Sequence, residues 1–193
     1  MEFCHKYPGG AEIELSMLFV DVRGSTSLAE RMSASEFSRL MNRFYKIATG
    51  VLIETDAFID KLVGDEVIGL YLPIFTGANH ARAAIQAARK LLQVAGHGEQ
   101  GANMLRLGIG VHTGPAFVGT VKGAEDTVDD ITALGDSVNI TARLAAQAGA
   151  GEALISEAAY ASAGLDLGNL EQRRLELKGK SEPVTVRVMS GEL

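Results

Sequence analysis

Apolar residues along the chain alternate between strand-like runs and helical stripes. Positions 13–22, IELSMLFVDV, form an apolar run that predicts a buried strand ending on an acid, Asp21. Ser33 and Glu36 have the spacing of a capping box, and behind them Phe37, Leu40, Met41, Phe44, Ala48 and Val51 recur with helical period. Positions 57–63 and 66–72 predict two short strands joined by a tight turn at Gly64 and Asp65. An Ala-rich helix follows over 79–95, stopped by Gly96 and Gly98. Positions 105–113 and 116–121 read as a strand pair around Gly114 and Pro115, and a polar loop covers 122–130. Within 131–149 a short strand hands over to a helix. Another strand and helix occupy 152–163, and strands close the chain near 173–177 and 185–188. The leading order is strand, helices, strand, strand, helix, strand. That is the split βαβ arrangement of a ferredoxin-like α+β sheet, with extra C-terminal elements.

Composition narrows the class. A chain of 193 residues with 47% hydrophobic and 22% charged positions suits one globular domain, 1–193, with no repeat or low-complexity window. Its apolar stretches are strand-length, short of the roughly 20 residues a membrane span needs, so no membrane insertion is expected. Cys4 is the single cysteine and cannot form an internal disulfide, which predicts a cytoplasmic setting. The net charge of −6 has the wrong sign for coating nucleic acid. A phosphate ligand would have to be held locally, by metals or a few placed cations.

A carboxylate at the end of a buried strand is costly unless paired, hydrogen-bonded or bound to a cation. Asp21 taken alone either caps the following turn or meets a cation, and Asp65 in a hairpin turn needs no function. In a split βαβ fold, however, the end of the first strand lies beside the turn between the second and third. Asp21 and Asp65 would then converge, and two carboxylates together call for positive charge. Their hard oxygens favour Mg²⁺ or Mn²⁺. The turn at Gly24, Ser25 and Thr26 would offer backbone N–H groups to phosphate oxygens near a helix start.

Five strings carry a resemblance: LFVDVRGST, KLVGDEVIGLY, GIGVHTGPAFVGTV, ALGDSVNITARL and LKGKSEPVTV. They stand in the order and spacing of class III adenylate and guanylate cyclase catalytic domains, and the resemblance runs from about residue 13 to 189. It implies that Asp21 and Asp65 bind two divalent cations, Mg²⁺ or Mn²⁺, with help from the Val22 carbonyl. One cation would activate the ribose 3′-hydroxyl and the other would neutralise the triphosphate. Asn139 matches the position that orients the ribose, Arg143 the one that stabilises phosphate charge in the transition state, and Lys178 a phosphate-binding lysine. In isolation the three read as a helix-end hydrogen bonder, a solvated helix charge and an edge-strand cation. Their joint occurrence at family spacing favours function.

By the same resemblance Lys61 and Thr132 read the base. A Lys donor and a hydroxyl acceptor complement the adenine N1 and 6-amine, whereas guanine offers the reverse pattern. Each mismatch costs about 1–3 kcal/mol, which favours ATP, although a hydroxyl that can also donate should reject GTP less firmly than Asp would. Lys with Thr resembles the bicarbonate-responsive subclass. Ser25 departs from the family, which more often has Phe there, and is expected to loosen packing beneath the phosphates. None of His5, His80, His97 and His112 is expected to act in catalysis, His112 being a strand residue with a satisfied ring.

The resemblance further implies a homodimer with shared sites, the metal carboxylates coming from one chain and the remaining groups from the other. Rotation at that interface would give a regulatory domain or small-molecule activator its route of control. The expected activity is conversion of ATP to 3′,5′-cyclic AMP and pyrophosphate. The alternatives are guanylate cyclase, which Lys61 opposes, and a catalytically silent nucleotide-binding module. The usual mark of the latter, loss of a metal Asp or of the Asn/Arg pair, is absent from the sequence.

Overall fold

The computed structural model describes residues 9–96, 105–122 and 129–191. Strand β1 (Ala11–Val22) leads into a short helix α1 (Ser25–Arg31) and the long helix α2 (Ala34–Glu54). The hairpin β2 (Phe58–Val63) and β3 (Glu66–Tyr71) follows, then α3 (Pro73–Thr76) and α4 (His80–Gly96). The second half holds β4 (Leu107–Lys122), β5 (Asp129–Leu134), α5 (Asp136–Gln147), β6 (Glu152–Ser156), α6 (Glu157–Ala163), β7 (Glu171–Leu175) and β8 (Val184–Ser190). The sheet order is β2-β3-β1-β4-β6-β8-β7, with β5 paired to β4. Its leading part, β2-β3-β1-β4, is the expected split βαβ, and among the pairings only β4 with β6 is parallel.

β1 is buried on both faces from Leu15 to Val20, and there every residue but Ser16 is apolar. Leu18, Val20 and Val22 pack with α2, α4 and α6, while Leu15, Met17 and Phe19 pack on the opposite face with Ala145 of α5. Side chains alternate with period two, so Asp21 emerges on the α5 face. The α2 stripe is buried as predicted, apart from a partly exposed Phe37. Its capping box is complete: Ser33 N donates to Glu36 Oε2 at 2.9 Å and Glu36 N donates to Ser33 Oγ at 3.3 Å.

Two expectations need correction. Positions 105–121 are not a strand pair around Gly114 and Pro115, because β4 runs straight through both. Pro115 falls where β4 lacks a neighbour on one edge, between the β6 pairing that ends at Val111 and the β5 pairing that begins at Phe117, so its missing N–H costs no ladder bond there. Asp129 and Asp130, read as loop, belong to β5. The rest of that loop, 123–128, lies outside the described residues, as do Cys4, His5, His97 and Gly98. Helix α3, started by Pro73 at its first position, was not anticipated.

Ser16 and His112, buried between the layers, both find polar partners. Ser16 Oγ lies 2.9 Å from His80 Nδ1 and 2.5 Å from Thr113 Oγ1. His112 Nδ1 lies 2.8 Å from Ser156 Oγ, as the reading of a satisfied ring expected. Burial pushes the His112 pKa down to about 4, against the pull of Asp136 and with a smaller push from Lys180. An unfolded histidine takes up its proton below about pH 6.5. Protonation therefore favours the unfolded chain, and stability present above pH 6.5 is lost as pH falls toward 4, about 3 kcal/mol in all. Urea midpoints should show this slope in the wild type, and His112→Gln should flatten it. An unchanged slope in the variant would place the pH dependence elsewhere.

Candidate active site

The first cluster sits at the carboxyl end of β1. Asp21 pairs with Glu66 in the β1–β3 register, and Val22 N donates to Asp65 O at 3.1 Å, which pins the two acidic positions side by side. Gly64 takes a positive φ of 61°, suited to its turn, and its carbonyl accepts from the Tyr45 hydroxyl of α2. Gly24, at φ 75°, turns the chain into α1. Ser25 is buried and its hydroxyl donates to Asp65 Oδ2. The Ser25 hydroxyl thus bonds a carboxylate that a Phe ring would leave unbonded.

Arg23 was not singled out in the sequence. Its parity with Asp21 puts both on the α5 face, and Nε donates to Asp21 Oδ1 at 2.6 Å. The other guanidinium nitrogens donate to the Ala146 and Ala145 carbonyls at 3.0 and 2.9 Å, satisfying the negative end of α5. Gly108 leaves room for this, since a Cβ there would meet Arg23 Nε at 2.4 Å. Burial lowers the Arg23 pKa while Asp65 and Glu66 raise it. Burial, then the charge of Asp65, raises that of Glu66, with Arg23 acting against both. Excess negative charge at this spot therefore already recruits a cation from the chain itself.

Among the described residues no group of three or more His, Cys, Asp or Glu side chains could hold a metal ion. Two carboxylates and a backbone carbonyl do fit Mg²⁺ or Mn²⁺ when a substrate's phosphates supply further ligands. The donor set is all oxygen and the acids are gathered on one strand end, so the residues present suit such ions.

A second cluster joins Thr132 to Asp60, the neighbour of Lys61 in the chain. Ile59 pairs with Gly69 and Lys61 with Ile68, so Asp60 is the extra residue of a β-bulge in β2. Thr132 Oγ1, on a residue only 8% exposed, donates to Asp60 Oδ2 at 3.1 Å. This joins β2 to β5, elements that are not neighbours in the sheet. Asp60 was also missed, being one polar position in a short strand.

The third cluster lies on α5. Asn139 and Arg143 share a face, four residues apart, and the Arg143 guanidinium passes 3.6 Å from where a Cβ of Gly179 would stand, beside Lys178. Gln147 Nε2 donates to Glu176 O at 3.2 Å, and Lys180 pairs with Asp136, fixing that loop against the helix. Arg173, Arg187, Lys90 and Lys180 are all ion-paired, whereas among the described residues Arg143 and Lys178 have no carboxylate partner.

A mixed sheet of this topology with its covering helices is the fold of solved nucleotidyl cyclase domains. The chain belongs to the adenylate and guanylate cyclase catalytic domain family, whose model matches residues 11–190. It is 33% identical over 137 residues to an adenylate cyclase of Anabaena cylindrica, covering 67% of this chain and 26% of that one. It is 31% identical over 134 residues to guanylate cyclase 2G of Mus musculus, covering 67% and 12%. The chain thus spans about a quarter or less of the length of these relatives. Among solved structures, the adenylyl cyclase CyaB from P. aeruginosa matches with TM-score 0.81 and 28% identity over 94% of this chain and 96% of that one. The guanylyl cyclase Cya2 matches with TM-score 0.79 and 28% identity over 93% of each. Adenylate and guanylate cyclases are both among these relatives, at similar identity. No helix among the described residues is long and apolar enough to cross a membrane.

Proposed function

We propose that this chain is an adenylate cyclase domain that closes ATP to 3′,5′-cyclic AMP, releasing pyrophosphate, at sites shared between two copies in the cytoplasm. The observation that carries the reading is the Val22-to-Asp65 backbone bond, which holds both acidic positions at one strand end. Bound there by Asp21, Asp65 and the Val22 carbonyl, two divalent cations would supply charge neutralisation and a more acidic ribose 3′-hydroxyl. The chain's own groups do the rest. Arg143 and Lys178, both without a carboxylate partner among the described residues, offset charge on the phosphates as the 3′-oxygen bonds the α-phosphorus and pyrophosphate departs. Asn139 orients the ribose, and backbone N–H groups at Gly24, Ser25 and Thr26 receive phosphate oxygens. Lys61 donates to adenine N1 and Thr132 accepts from the 6-amine.

Dimerisation is supported by an exposed apolar strip. Phe117, Val121 and Leu134 share one face of the β4–β5 hairpin with Thr132, and Leu134 is 50% exposed. Val63 at the end of β2 is 58% exposed. Covering these with a second copy would set Lys61, Thr132, Asn139, Arg143 and Lys178 of one protomer against Asp21 and Asp65 of its partner. A regulatory domain or small activator would act by shifting that interface.

The test is a paired assay of purified protein with ATP and with GTP, in Mn²⁺ and in Mg²⁺. Cyclic AMP is expected, with kcat/KM for ATP at least tenfold above that for GTP, one mismatched buried polar contact being worth about that factor. A preference for GTP would overturn the base assignment. Bound ATP with no cyclic product at high protein concentration would leave a nucleotide-binding module.

A further inference from the structure

Resting on the base-reading role given to Lys61 and Thr132, we infer that Asp60 is a specificity-determining residue that fixes the direction in which the Thr132 hydroxyl meets the purine. A threonine hydroxyl carries one proton and two lone pairs, so by itself it can accept from the adenine 6-amine or donate to the guanine 6-oxygen. Here that proton is committed. Thr132 Oγ1 donates to Asp60 Oδ2 at 3.1 Å across 72 residues of chain, and an ionised carboxylate can only accept. What remains on the oxygen is lone-pair density. The hydroxyl therefore acts toward a base as an acceptor alone, matching the adenine amine and opposing the guanine carbonyl.

The bulge explains how Asp60 reaches this place. A regular strand would alternate its side chains between the two faces. The extra residue between Ile59 and Lys61 breaks that alternation, and Asp60 reaches Thr132 of β5 from the position next to Lys61. Thr132 is nearly buried, which makes its remaining lone pairs costly to leave mismatched. Asp60 is thus a positioning residue, acting on the base through Thr132 and needing no contact with it.

The experiment measures kcat/KM for ATP and GTP, and competitive binding of both, in wild type, Asp60→Asn, Asp60→Ala, Asp60→Glu, Thr132→Val and the Asp60→Asn/Thr132→Val double variant. An amide at 60 can donate to the threonine oxygen and release its proton toward the base. Asp60→Asn should therefore lower the ATP-to-GTP ratio by about tenfold, chiefly by raising GTP. Asp60→Ala should move the ratio the same way, and Asp60→Glu, which keeps an acceptor, should restore part of it. In the Thr132→Val background the Asn substitution should leave the ratio where it was. Equal losses for both nucleotides, or a ratio change that persists in full without the hydroxyl, would reduce Asp60 to a structural partner and overturn the inference. The binding ratio reports the same selectivity if turnover is lost. A ratio untouched by Thr132→Val and by Lys61→Glu would instead overturn the base-reading assignment itself, a result distinct from failure of Asp60 alone.

Discussion

Asp21→Ala and Arg143→Ala chains are each expected to lose about 10²–10³ of cyclase activity, yet an equimolar mixture should recover roughly a quarter of the wild-type rate. The reasoning is combinatorial. Random exchange makes about half of all dimers mixed, and each mixed dimer contains one site with intact Asp21 facing intact Arg143 and one site lacking both. Arg143 bears on the loop at Gly179, while Asp21 is held by Arg23 at the far end of α5. Cyclic nucleotide formation by the single and mixed proteins, with subunit exchange followed by a mass tag on one variant, measures the outcome. Exchange without recovery would mean that each site is built within one chain.

Gly110→Ala is expected to lose about 3 kcal/mol of stability, at the upper end of overpacking costs, with activity falling in parallel. A Cβ at Gly110 would meet Ala145 N at 2.4 Å and Thr141 O at 2.5 Å. Both are backbone atoms of α5, so no side-chain rotation relieves the clash and the helix itself must lift from β4. Asn139 and Arg143 ride on that helix. Gly50 provides the contrast, since it lies within α2 and a Cβ there meets nothing within 4 Å. Gly50→Ala should stabilise by about 0.5–1 kcal/mol through helix propensity alone. Urea midpoints of both variants, read beside their activities, separate the two effects; a well-folded, fully active Gly110→Ala protein would show that α5 is not held as closely as described.

Much of this architecture could be read directly from residue order. The unbroken apolar run of β1, the Ser33–Glu36 box and the α2 stripe depend on local periodicity, and each was found where expected. Pro115 misled because proline ordinarily interrupts a strand, and only the pattern of neighbouring strands reveals that its edge is vacant. The candidate site divides in the same way. The nearness of Asp21 and Asp65 follows from topology once the split βαβ order is accepted, and the backbones of the two positions do meet at the end of β1. Arg23, Ser25 and Asp60 acquire meaning only through partners distant in sequence: the carbonyls of α5, the Asp65 carboxylate and the Thr132 hydroxyl. Nothing in the residues adjacent to Ser25 and Asp60 announces these bonds. For Arg23 a faint cue did exist, its shared parity with a strand-end acid.

The uninterrupted course of β4 has a geometric consequence. Roughly 35 Å of strand separates Gly108, opposite Asp21, from Gly119, opposite Thr132. With no break between them, both places lie on one strand that is tied to β1 from Leu107 to Val118. If the sites are shared as proposed, each protomer's β4 carries parts of two different reaction centres, one toward either end.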